Sequence, residues 1–144
     1  MKTVTTFCLT CSTLLLATIL TAAAQSQERF TEGEFAGFTK SATEHIIVRM
    51  EQTITVRSAE GRILSKADGA ELAGAIFEVR VPGTNEVVGG YTDKHGHFKL
   101  SSLQPGKYVF KATKDGFQSV AGTFVISKAA KRSSAISIAM QPGV

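Results

Sequence analysis

The stretch from 69 to 117 constrains this chain more than any other part, because it writes two turns at a spacing that suits a small antiparallel sandwich. The first is Asp93-Lys94-His95-Gly96, set between Thr92 and His97-Phe98-Lys99-Leu100; the second follows at Leu103-Gln104-Pro105-Gly106-Lys107-Tyr108. Asp at the opening position accepts hydrogen bonds from turn N–H groups, and Gly at the close takes a positive φ, which predicts a type I turn continued into a bulge. Strands are therefore expected on either side of each turn.

Alternation supports this along the rest of the chain. Ala75, Phe77, Val79 and Val81 share one face while Glu78 and Arg80 share the other, the pattern of a sheet with one buried side. Pro82-Gly83-Thr84-Asn85 turns the chain before a strand over 87–92, and Lys114-Asp115-Gly116 turns it again before 119–126. With a short strand at Ile63-Leu64 after a turn at Ala59-Glu60-Gly61, and a last one over 133–140, the count from Ile63 is seven. The reading is an all-β, seven-stranded antiparallel β-sandwich with Phe77, Val79, Phe98, Leu100, Tyr108, Phe110, Phe124, Ile136 and Ile138 facing inward. Pro105-Gly106-Lys107-Tyr108 predicts a tyrosine corner, in which the phenol packs on the core and its hydroxyl bonds a nearby backbone group.

Ahead of the sandwich the composition changes twice. Residues 1–24 carry Lys2, an apolar run through Leu14, Leu15, Leu16, Ile19 and Leu20, and a close on Ala22-Ala23-Ala24, as a secretory signal peptide does. The run is shorter than the roughly 20 apolar residues of a membrane span, so none is expected in the mature chain. Cys8 and Cys11 both fall in that leader, leaving the exported chain without thiols. Residues 25–44 are polar, with Phe30, Phe35 and Phe38 as isolated apolar points, and read as a linker or a loosely docked arm. Residues 45–60 alternate again (Ile46, Val48, Met50, then Ile54 and Val56) and read as extra N-terminal strands, with the sandwich proper over 61–141.

The residues Gly69-Ala70-Glu71-Leu72-Ala73-Gly74-Ala75, Thr92-Asp93, Gly96-His97-Phe98, Leu103, Pro105-Gly106-Lys107-Tyr108 and Gly116-Phe117 together resemble the carboxypeptidase regulatory-like domain. That resemblance implies a transthyretin-like, or prealbumin-like, sandwich related to Cna B-type modules, and an accessory or interaction role without catalysis. Glu71 stands where the family commonly has Pro, which is expected to loosen a turn and leave the fold intact. Hydroxyisourate hydrolases are similar in fold alone: their Tyr-Arg-Gly-Ser ending is replaced here by Gln141-Pro142-Gly143-Val144. The Lys-to-Asn crosslink of Cna B-type modules is not expected either: Lys66 lies near the first sandwich strand, but the last strand, over 133–140, offers neither Asn nor Asp, and Asn85 belongs to a turn.

Function is then sought on the surface. The formal charge of +4 falls to +3 without Lys2 and is scattered, which argues against nucleic acid. His95 and His97 are candidate metal ligands, but a site needs three or four groups and Asp93 is committed to its turn. Tyr91 and Phe117 are candidate surface rings for a sugar, as in a starch-like binding module, and an exposed Tyr91 is the feature that reading requires. Lys128, Lys131 and Arg132 form a basic run in the last loop, which Lys111 and Lys114 are expected to approach across the sheet, suited to an acidic polymer or anionic lipid. No enzyme and no cofactor is expected. The reading is an exported, periplasmic or extracellular, monomeric module that binds a protein or glycan of the cell envelope; a detached leading domain of an outer-membrane receptor is a further alternative.

Overall fold

The computed structural model describes residues 29–41 and 46–143; the expected signal peptide lies outside them. The described chain contains ten strands and one short 3-10 turn, Glu32–Phe35. The strands are β1 (Arg29–Phe30), β2 (Ile47–Arg49), β3 (Ile54–Val56), β4 (Ala59–Ser65), β5 (Ile76–Arg80), β6 (Val87–Tyr91), β7 (His97–Leu100), β8 (Gly106–Thr113), β9 (Val120–Ile126) and β10 (Ile136–Met140). Those from β4 to β10 answer to the seven read from the sequence.

They form two sheets. The larger runs β1-β2-β9-β8-β5-β6, with β3 also paired to β9; the smaller runs β10-β4-β7. Alternation sends Phe77, Val79, Tyr108, Phe110 and Phe124 inward from the large sheet, against Ile63, Phe98, Ile136, Ile138 and Met140 from the small one. Phe77 bridges the layers, stacking on Phe98 at 4.0 Å between ring centres and on Phe110 at 5.4 Å. Each such buried side chain contributes about 1.5–3 kcal/mol of transfer free energy. Leu100, expected inside, is only partly buried at the margin of this core.

The turns follow their chemistry. Gly96 has φ +71°, its N–H donates to Asp93 O at 3.0 Å, and the Asp93 N–H donates to His97 O at 2.8 Å. The tyrosine corner is present too, with the Tyr108 hydroxyl donating to Gln104 O at 2.6 Å. At Glu71, the bonds that hold the segment are made by its neighbours: Leu72 N–H donates to Ile63 O and Ser65 N–H to Ala70 O.

Two expectations are corrected. The sandwich is not wholly antiparallel: β10 runs parallel to β4, and β2 and β3 run parallel to β9. Turn chemistry sets the direction only of strands joined by a hairpin, and the segment 127–135 crosses between sheets before β10 begins. Ala59-Glu60-Gly61 is not a turn, but the first part of β4. Gly61 is there for closeness of approach, since a Cβ on it would lie 1.8 Å from Ile136 O of the adjoining strand.

The described part of the N-terminal segment lies on the outer face of the large sheet. Phe35 and Phe38 bury themselves with Ile47 and Ala121, and β1 pairs with β2. The sheet grips this arm through charged side chains. Glu78 accepts from the Thr39 N–H at 2.9 Å and the Thr39 hydroxyl at 3.0 Å, Arg80 donates to Ala36 O at 2.7 Å, and Lys111 Nζ donates to Thr39 O at 2.7 Å. Lys111 is 0% exposed, so it does not join a surface patch with the last loop.

Candidate functional site

The outer face of the small sheet has no such cover. Alternation along β4 and β7 points Gly61, Ile63 and Phe98 toward the core, and turns Glu60, Arg62, His97 and Lys99 toward solvent. Register then sets them side by side: Glu60 opposite Lys99, Arg62 opposite His97, and Ser137 of β10 beside Arg62 on its other flank. Tyr91, at the end of β6, stands at the margin of this face and is 73% exposed.

The junction that presents Tyr91 is firmly built. The next residue, Thr92, is buried; its hydroxyl accepts from the Ala75 N–H at 2.8 Å and donates to Leu72 O. Asp93 then uses one carboxylate oxygen for two backbone donors, the N–H of His95 at 2.8 Å and of His97 at 2.9 Å. The bond from His97 and then that from His95 hold the Asp93 carboxyl below its ordinary range, because both favour the charged form.

These groups, with Ser133 and Ala135 from the loop ahead of β10, line an open groove of about 730 Å³. That size falls within the range of small-ligand sites, roughly 300–1,000 Å³. A second hollow, of about 500 Å³, has Tyr108 in its wall, and there the hydroxyl is already committed to the corner. A third, of about 490 Å³ between β2 and β10, contains no aromatic side chain.

Within the groove the charges are unequally satisfied. Lys99 Nζ lies 3.4 Å from a Glu60 carboxylate oxygen, and Asp93 is occupied by its turn. Arg62 faces only His97 and Ser137 across its neighbouring strands, with no carboxylate of the described residues on its guanidinium. The groove therefore offers an aromatic face, an open guanidinium and hydroxyls.

The other candidates fall in different places. His95 turns its Nδ1 to Glu71 at 3.3 Å, while His97 lines the groove, and their ring centres are 6.4 Å apart. Among the described residues no three His, Cys, Asp or Glu side chains gather where they could hold a metal. Phe117 is half-buried against the main core and forms a bridge with Pro142, so it is not a free surface ring. Lys128, Lys131 and Arg132 are exposed on the loop whose later residues, Ser133 and Ala135, reach the groove. Arg62 was not singled out in the sequence, although the alternation of Ile63 and Arg62 marks its outward direction; its lack of an acid is visible only once β7 and β10 lie beside it.

Among the described residues no helix is long and apolar enough to cross a membrane. A protein-family model described as the carboxypeptidase regulatory-like domain matches residues 58–141, more than half the chain. No curated protein matches the sequence.

Proposed function

Because the chain belongs to the carboxypeptidase regulatory-like domain family, whose domains are non-catalytic β-sandwich modules, we propose that it is exported and binds a protein or glycan of the cell envelope through the groove at Tyr91. The observation that carries this reading is an aromatic ring 73% exposed that lines the same groove as a guanidinium with no acid of the described residues on it. A large exposed ring and an open cation are the kind of anchors that dominate binding surfaces. The buried aromatics of the core stabilise the fold and leave loops and outer faces for recognition. Export rests on the leader pattern of residues 1–24.

Titration of labelled protein onto isolated cell envelopes tests this directly. Saturable binding is expected, weakened about tenfold or more by Tyr91→Ala combined with Arg62→Gln, the scale of losing one or two anchor contacts. The reading fails if the envelopes take up no saturable amount, or if the double variant binds as the parent does.

A further inference from the structure

Resting on the reading that Tyr91 marks the binding groove, we infer that the ligand is an acidic oligosaccharide, with one uronate ring lying on Tyr91 and its carboxylate held by Arg62. A pyranose has one face of C–H bonds, whose slight positive charge suits the negative face of an aromatic ring. Tyr91 presents that face to solvent at the margin of a groove, where the remaining units of a chain can continue.

The preference for an acid comes from which charged groups of the groove already have a partner. Each carboxylate there is already engaged, Glu60 by Lys99 and Asp93 by two backbone N–H groups. Arg62 has His97 and Ser137 as its cross-strand neighbours and keeps its planar set of donors for an incoming group. A guanidinium matches a carboxylate with two parallel hydrogen bonds, a fit that a neutral sugar does not make. Ser133 and Ser137 add hydroxyls suited to a polyhydroxylated ligand, and the exposed Lys131 and Arg132 immediately precede Ser133, which raises the positive field at that end.

Calorimetric titration of the purified protein with hexamers of galacturonate, guluronate and glucuronate-containing glycan, alongside a methyl-esterified galacturonate hexamer and maltohexaose, decides the matter. At least one acidic hexamer is expected to bind about tenfold or more tightly than the esterified or neutral ligands, with affinity falling as salt rises. Tyr91→Ala should abolish detectable binding and Arg62→Gln should erase the preference for the acid, while Arg62→Lys keeps only part of it. Circular dichroism and a urea midpoint confirm that each variant is folded, as substitutions at exposed positions should be. Binding of neutral and acidic hexamers alike, no binding of any acidic hexamer, or acidic binding unchanged in both variants overturns the inference. So does binding to phosphatidylglycerol vesicles that no acidic hexamer displaces. If the hexamers fail while envelope binding still depends on Tyr91, the inference falls and the broader function stands.

Discussion

The outer faces of the two sheets are built from the same kind of sequence and end in opposite conditions. On the large sheet Glu78, Arg80 and Lys111 alternate with core residues, as Glu60, Arg62 and Lys99 do on the small one. The first set is closed over by the N-terminal arm, and each of its members bonds the arm backbone. The second set is left in solvent with one ion pair made and one cation open. The contrast teaches that outward charge on a strand is not in itself a sign of function. What lies on top of it decides whether it holds the fold together or is available to a ligand.

The contrast can be broken first at the floor of the bare face. Gly61→Ala pushes a Cβ into Ile136 O and should cost about 3 kcal/mol or more, since neither backbone can move without parting β4 from β10; a urea midpoint that stays put would show that the small sheet yields more easily than its geometry implies. Next comes the covered face. Lys111→Ala removes a buried charged donor from Thr39 O and should cost about 2 kcal/mol, while making the segment 29–41 quicker to be cut by protease. An unchanged midpoint and unchanged proteolysis would mean that the Lys111 bond adds nothing to the hold of Glu78, Arg80, Phe35 and Phe38 on the arm.

Acid sharpens the comparison from the other side. The Asp93 carboxyl is held below its ordinary range in the fold, so its contribution to the turn is complete above the unfolded value, about 3.9, and is lost as pH falls through the lower folded value. Amide resonances of His95 and His97 should accordingly shift below about pH 4, tracking the carboxyl itself. Resonances that stay in place through that acid range would show that the carboxylate does not hold the turn. The smallest effect is expected at Arg62→Ala, whose urea midpoint should stay within about 0.5 kcal/mol of the parent because its exposed side chain has no acid among the described residues to lose. A substantial loss there would place Arg62 with Lys111, as a structural residue.

Much of the frame was legible because it is local. Period-two alternation marked β5 and β8, Asp93 with Gly96 marked the turn into β7, and Pro105-Gly106-Lys107-Tyr108 marked the tyrosine corner. Tyr91 was legible as a candidate surface ring because it is one of two tyrosines, and the other was committed to that corner. Gly61 was misread, since a glycine that permits close approach and a glycine that permits a turn look alike until the neighbouring strand is in place. Lys111 was misread for a related reason, as its cover comes from 72 residues away.

The amino-acid order alone marked the strands from β5 to β9 and most of the side chains that enter the core, because φ preference and alternation act over a few residues. Tertiary structure decided that β10 lies parallel to β4, that the described arm covers one sheet and not the other, and that Arg62, with no acid of the described residues on its guanidinium, lines the same groove as Tyr91. Those outcomes depend on contacts between segments distant along the chain, where loop closure and the fit of whole faces outweigh any local preference.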